Sequence, residues 1–167
     1  DFATLYEAAL LRGQRDKLGL FAATPADDTA DAALVADWLA LLHSQSTDFT
    51  LAWRYLADAA EGRDAPLKAL FADPAALDPW LAGWRQRAAN DQARGGPDAA
   101  GRAARMRRTN PWIIARNHRV EEALAAATTD ADLAPFGRLL DALRRPWDEA
   151  PEFAAYAEPA PAAVTAR

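Results

Sequence analysis

No stretch of this chain alternates apolar and polar residues over the length of a strand, and that absence most restricts its fold. Apolar residues instead recur at i, i+3, i+4 and i+7, in runs separated by proline, glycine and capping aspartates. Helices of roughly 10–15 residues joined by roughly 3–8 residues suit an all-α, irregular helical bundle. The runs share no fixed period, so a solenoid of repeats is not expected.

The first run, 2–16, carries Phe2, Leu5, Tyr6, Ala9 and Leu10 on one face. Lys17-Leu18-Gly19-Leu20 reads as its end: a cation, a glycine in the cap region, then an apolar residue that folds back. Pro25 to Thr29 is a loop with capping residues. Leu34, Val35, Trp38, Leu39, Leu41 and Leu42 mark a helix over about 30–44, with His43 near its C-terminus. Asp48 or Thr47 caps a helix bearing Phe49, Trp53, Leu56 and Ala57, which ends at Glu61 to Asp64. Pro66 opens a short helix with Leu67, Leu70 and Phe71. Asp73-Pro74 and Asp78-Pro79 both read as a capping carboxylate followed by proline. Trp80, Leu81, Trp84 and Ala88 mark a helix to about 91, and 93–98 is the clearest loop. Helices follow over 99–108 and about 118–128. Asp130 or Asp132 caps another, with Leu133, Phe136, Leu139, Leu140 and Leu143 expected inward, and Arg144-Arg145-Pro146 ends it. Residues 151–156 add a turn. Residues 1–157 thus form a helical region and 158–167 an extended or disordered tail.

A net charge of -5 argues against a nucleic-acid partner, whose usual counterpart is a basic surface. The chain has no cysteine, which removes disulfides and thiol chemistry and fits a reducing, cytoplasmic setting. No apolar run approaches the roughly 20 residues that cross a bilayer. Asp1 in place of methionine suggests a piece of a longer protein. The six tryptophans are expected at core positions.

Chemistry is sparse. His118 with Glu121 and Glu122 at i+3 and i+4 is too small a donor set for a metal, and a helix-end pair is the more economical reading. His43 is far away in sequence. Asp48-Phe49-Thr50 superficially resembles a kinase metal-binding triplet but lacks its glycine, so capping is preferred. Gly95-Gly96 stands alone in a flexible loop and makes no phosphate cradle. The arginines at 102, 105, 107, 108, 116 and 119 form the only dense charge cluster. They suit a phosphate or an acidic partner, or, more simply, pairing with Glu121, Glu122 and neighbouring aspartates with stems packed on tryptophan faces. Between residues 105 and 118, Asn110-Pro111 breaks the helical pattern. There Met106, Trp112, Ile113 and Ile114 suggest an apolar plug held by arginines that satisfy carbonyls or carboxylates.

The order of several short motifs adds a resemblance. Met106-x-x-x-Asn110-Pro111-x-x-Ile114-x-Arg116-Asn117 is followed by Leu140-x-x-Leu143-x-x-Pro146-Trp147-Asp148-Glu149-x-Pro151-Glu152-Phe153-Ala154-x-Tyr156-Ala157. Before them come Lys17-Leu18-Gly19-Leu20, Asp48-Phe49-Thr50 with Arg54-x-Leu56, and Leu70-Phe71 ahead of Trp80-x-x-Trp84-Arg85. Together these cover most of residues 5–157 and resemble the C-terminal part of the selenoprotein O family. The resemblance implies a protein-kinase-like, pseudokinase fold and protein adenylyltransferase activity (AMPylation). Such an enzyme transfers AMP from ATP to Ser, Thr or Tyr hydroxyls of proteins with magnesium. It also implies that the nucleotide, catalytic and metal-binding residues lie N-terminal to this segment. No catalytic, cofactor-binding or metal-ligating position is therefore assigned here, and no ATP or magnesium is expected on this segment alone. The chain departs from the family pattern in lacking a cysteine or selenocysteine near its C-terminus, and in having Trp112 where a smaller aromatic is expected.

The leading expectation is a supporting C-terminal segment, not catalytic in isolation. Its partners would be the missing N-terminal catalytic region and the protein substrates of the full enzyme, with no nucleic acid and no membrane. A segment that packs on a larger body is expected to show an exposed apolar face. The alternative is a free-standing helical interaction module whose arginines bind an acidic partner. A third expectation is that Arg105, Arg107, Arg108 or Arg116 reaches a nucleotide or substrate phosphate in the complete enzyme.

Overall fold

Residues 2–161 are described by the computed structural model, and every regular element among them is helical. The α-helices are α1 (Phe2–Leu18), α2 (Asp28–Ser44), α3 (Phe49–Ala60), α4 (Ala65–Lys68), α5 (Asp78–Ala93), α6 (Ala99–Thr109), α7 (Asn117–Thr129), α8 (Ala134–Arg144) and α9 (Ala154–Ala157). Short 3-10 turns at Pro25–Asp27, Pro74–Leu77 and Pro151–Phe153 lead into α2, α5 and α9. The chain divides into two compact units, Asp1–Asn110 and Pro111–Arg167, and the boundary falls at the Asn110-Pro111 break.

The core of the first unit is aromatic. Trp38 stacks on Trp80 with ring centroids 4.3 Å apart and meets the edge of Trp53 at 5.9 Å. Trp80 continues onto Trp84 at 6.0 Å. Leu18, Leu20, Leu56, Leu67, Leu77, Leu81 and Met106 close around these rings. Local chemistry sets the helix ends. Gly19 takes φ +74, a left-handed conformation that glycine adopts without steric cost, and the Leu20 N–H returns to the Arg15 carbonyl at 2.9 Å. Asp48 caps α3 by accepting from the Leu51 N–H at 2.8 Å. Asp73 caps its turn in the same manner. Asp78 does not. The 3-10 turn runs straight into α5, so Asp78 lies inside the first turn and pairs with Lys68 at 2.5 Å.

In the second unit α7 packs on α8. Asp132 accepts from the Ala134 N–H at 2.9 Å at the start of α8. The Pro146 carbonyl accepts from both Trp112 and Ile113 N–H groups, at 2.7 and 3.0 Å. The Arg145 guanidinium lies 4.5 Å from the Phe153 ring centre. The inward face of α8 is narrower than its sequence suggests. Leu139 and Ala142 are buried, whereas Leu133, Phe136 and Leu140 are exposed and Leu143 is half-buried. Trp147 and Leu124 are also exposed, and Trp112 is half-buried, so the tryptophans are not uniformly core residues. A helical hairpin buries one stripe of each helix, and the broader apolar surface remains outside. Residues 158–161 carry no regular element, and the rest of the expected tail, 162–167, lies outside the described residues.

Candidate functional site

Several residues behind the sequence resemblance, among them Lys17, Leu18, Gly19, Arg54, Trp84, Met106 and Asn110, meet at one place in the first unit, where α1 and α6 end. An α-helix leaves its last carbonyls without intrahelical donors. Here three successive carbonyls at the end of α1 are each met by a side chain from elsewhere. Asn110 Nδ2 donates to the Lys17 carbonyl at 3.0 Å, and Trp84 Nε1 donates to the Leu18 carbonyl at 2.9 Å. Arg102 donates to the Gly19 carbonyl, and also to those of Ala88 at 2.9 Å and Pro97 at 3.2 Å. The end of α6 is closed by Arg54, which donates to the Arg107 carbonyl at 2.6 Å and the Asn110 carbonyl at 2.9 Å. Arg85 reaches the Ala59 carbonyl near the end of α3 at 3.2 Å and pairs with Asp64.

The junction is tight. A Cβ on Gly19 would stand 2.7 Å from Arg102 Cγ and 2.8 Å from Met106 Sδ, so glycine is required for space as well as for φ. Lys17 returns the contact of Asn110, with Nζ donating to Oδ1 at 3.1 Å, and its ammonium lies 5.3 Å from the Trp53 ring centre. Burial pushes the Lys17 pKa down from the ordinary lysine range. Burial likewise lowers that of Arg102, against the opposing pull of Asp91.

Beside the junction runs a chain of buried ions. Asp31, fully buried, accepts from Arg15 Nε and Arg87 Nε, both at 2.7 Å. Asp91, also fully buried, accepts from the Ala22 N–H at 2.6 Å and from Arg102 at 3.2 Å. A side chain on Gly96 would collide with the Asp91 carboxylate, and the Gly96 N–H bonds the Asp91 carbonyl at 2.9 Å. The pair Gly95-Gly96, unremarkable in sequence, is thus partly fixed by packing. Near the surface, Arg94 holds Asp27 at 2.7 Å, and that hydrogen bond keeps the Asp27 carboxyl well below the usual carboxylate range.

The arginines singled out in sequence disperse. Within the first unit, Arg102 is buried on carbonyls and Asp91, while Arg107 bonds Asp58 and Glu61 at 2.6 Å each. Arg105 is exposed with its guanidinium 4.9 Å from the Phe21 ring centre, beside a hollow of about 540 Å³ that Arg12 and Arg15 also line. Arg108 is exposed. In the second unit Arg116 is half-buried at the start of α7, and Arg119 bonds the Ala155 carbonyl at 2.8 Å and Glu122 at 3.0 Å. Pairing with a neighbouring helix's aspartate is thus seen at Arg107–Asp58 and pairing with Glu122 at Arg119, while Glu61 is a further partner of Arg107. Arg105 lies over the Phe21 ring and Arg145 over Phe153, while Lys17 lies over Trp53. The apolar plug is divided too: Met106 and Ile113 are buried and Ile114 is exposed.

His43 is exposed in the last turn of α2, and His118 is buried near the start of α7 with Glu121 and Glu122 exposed beyond it. Among the described residues no three His, Asp or Glu side chains gather in a way that would hold a metal ion. The donor set therefore does not fit a magnesium site within these helices. Arg15, Asp31, Arg87 and Asp91 escape a reading based on apolar residues alone. Their signal is positional, since Asp31 shares the stripe of Val35, Trp38 and Leu42, and Asp91 that of Trp80 and Trp84.

Comparison with known proteins agrees with this set of motifs. The family model described as "Protein adenylyltransferase SelO" matches residues 1–144. The Bradyrhizobium sp. "Protein nucleotidyltransferase YdiU" is 46% identical over 159 residues, covering 95% of this chain and 31% of that protein. Its Chromobacterium violaceum namesake is 48% identical over 161 residues, covering 96% and 32%. A Cereibacter sphaeroides protein of that name is 50% identical over 156 residues, covering 93% and 29%. The chain spans about a third of the length of the curated relatives it matches.

Proposed function

The chain belongs to the SelO protein adenylyltransferase family, and from that membership we propose that it is the C-terminal helical segment of an AMP-transferring, kinase-like enzyme. The full enzyme transfers AMP from ATP to Ser, Thr or Tyr hydroxyls of proteins, with magnesium, in the cytoplasm. This segment supports the catalytic region and does not carry the chemistry. The observation behind this reading is the use made of the motif residues. Asn110, Trp84, Arg54 and Arg85 each donate to a carbonyl at a helix end of this same segment.

Nucleotidyl transfer needs cations and a metal placed at the phosphates. Arg102 and Arg107 are already engaged within the segment, and its carboxylates do not gather into a magnesium site among the described residues. On this reading the nucleotide, the metal and the transfer step belong to the remaining two-thirds of a family-length polypeptide. Among the described residues no helix is long and apolar enough to cross a membrane.

Two measurements test the proposal. The coding sequence upstream of Asp1 should hold an in-frame kinase-like region with a glycine-rich loop and metal-binding aspartates. A start codon close to Asp1 would favour a free-standing interaction module instead. With labelled ATP, the family-length protein should label itself or a protein substrate, and the 167-residue chain should not. Transfer by this chain alone would overturn the division of labour.

A further inference from the structure

Helix α1 is anchored only toward its C-terminal end. Of its 17 residues only Leu18, the last, is buried. Phe2, Leu5, Tyr6 and Leu10 are 82%, 71%, 57% and 46% exposed, and they fall at helical spacing on one side. Phe2 and Tyr6 stack on each other at 6.3 Å with no buried neighbour in their own helix. Leu10 also borders an apolar groove of about 670 Å³ between α1 and α2, lined by Leu11, Val35, Ala36 and the exposed Leu39. Two of the three or so helical turns before Leu11 thus present large apolar groups to water. A helix of this length gains most of its stability from packing an apolar face, not from propensity. Contiguous exposed apolar surface of this kind marks an interface.

We infer that the N-terminal half of α1, with the α1–α2 groove, is the seat for the rest of a family-length polypeptide. The inference rests on the reading that this chain is part of such a polypeptide. The occupant follows from length. The matched relatives are about three times as long as the region this chain covers, so most of a family-length protein is outside these helices. A covalently joined body meets the stripe at a high effective concentration, on the order of millimolar for short flexible links. A few large side chains then suffice, where a separate partner would need a larger surface. Glu7, Gln14, Asp28 and Thr29 also line the groove, but most of its exposed lining is apolar.

The test uses single thiols, which this cysteine-free segment accepts without background. Leu5→Cys and Tyr6→Cys are placed in the family-length protein and in the 167-residue chain. Maleimide labelling is located by peptide mass mapping, and denatured protein supplies the reference rate. Both thiols should react at least about ten-fold more slowly in the folded family-length protein than in the short chain. Hydrogen exchange on the unsubstituted proteins, over residues 2–10, gives the same comparison without altering the stripe. Equal labelling and equal exchange in a family-length protein that still transfers AMP would overturn the docking and leave the functional proposal standing. Protection that appears in the short chain alone as its concentration rises would assign the stripe to a second copy and also overturn it. Protection in a family-length protein that transfers no AMP would support the docking and count against the functional proposal.

Discussion

Lys17 and Asn110, 93 positions apart, exchange two hydrogen bonds: the Lys17 ammonium donates to Asn110 Oδ1, and Asn110 Nδ2 donates to the Lys17 carbonyl. Asparagine is one of few side chains that offers both an acceptor and a donor from one planar group. The pair ties the last turn of α1 to the residue that ends α6. Asn110→Ala removes both contacts and leaves a partly buried carbonyl and a half-buried ammonium without these partners. A group stranded in this way costs about 1–3 kcal/mol. Urea unfolding of the 167-residue chain should show a lower midpoint with an unchanged slope. A midpoint equal to that of the parent would mean the pair contributes nothing.

Lys17 also makes a prediction about pH. Its folded pKa lies below the unfolded value of roughly 10.4 because burial disfavours the charged form. The unfolded chain therefore holds more protons than the folded one between those two values. By linkage, the contribution of this group to stability rises with pH across that window. Lys17→Met has no proton to bind, so its stability should rise less than that of the parent as the pH climbs toward about 10.4. Parallel unfolding curves for parent and variant over that range would refute the assignment.

Gly19 and Gly62 separate two costs of replacing glycine. Both have positive φ, +74 and +80, but space is open around Gly62, whereas Arg102 and Met106 press on Gly19. Gly62→Ala should cost roughly 1–2 kcal/mol, the left-handed penalty alone. Gly19→Ala adds overpacking of about 1–3 kcal/mol. Thermal unfolding of the two variants should place Gly19→Ala clearly lower, and equal melting temperatures would show that the junction yields.

Glu61 carries part of the acid sensitivity. The hydrogen bond from Arg107 holds its carboxyl below the usual range, with a smaller contribution from Arg63. A depressed carboxylate stabilises the fold above its unfolded pKa of roughly 4.3 and loses that contribution as pH falls through the folded value. The group is near the surface, so the amount is on the order of 1 kcal/mol or less after solvent screening. Glu61→Gln should lower stability slightly at pH 7 and flatten its decline below roughly pH 4. A decline as steep as that of the parent would rule Glu61 out.

Much of the helical layout is legible because breakers stand where helices end. Gly19 follows α1, Asp48 caps α3, and Asn110-Pro111 divides the two units. The motifs in the resemblance are legible as a set, but the meeting of several of their residues at one junction is not. Nothing local in Trp84 or Arg54 says that each donates to another helix's last carbonyls. Leu133 and Phe136 show the opposite limit. Their period is helical, but period alone does not say whether anything covers the face, and here both are exposed. Asp78 looks like Asp73 in sequence, and only the continuity of a 3-10 turn into α5 turns one into a cap and the other into a first-turn residue.

Asp31 shows how an overlooked charge comes to hold a core together. It occupies an inward position on α2, in line with Val35, Trp38 and Leu42, where an aliphatic residue would ordinarily be found. Its carboxylate takes hydrogen bonds from Arg15 on α1 and Arg87 on α5, joining three helices through one group. Removing the acid alone takes the shortest ion pair from each guanidinium, leaving Arg15 with the more exposed Asp28 at 2.8 Å and Arg87 with Asp27 and Asp91 at 3.8 and 3.9 Å. The cost approaches the roughly 3–5 kcal/mol of a broken buried pair. Asp31→Ala should therefore unfold at a much lower urea concentration than the parent. A triple variant, Asp31→Leu with Arg15→Met and Arg87→Met, replaces the ions by apolar groups of similar length. Such replacements are often neutral or stabilising, because no buried charge is left alone, and Asp28, which loses Arg15, is half exposed to water. The triple variant should recover most of the lost midpoint. If it remains as unstable as Asp31→Ala, the three helices depend on the directional hydrogen bonds themselves and not merely on the absence of a stranded charge.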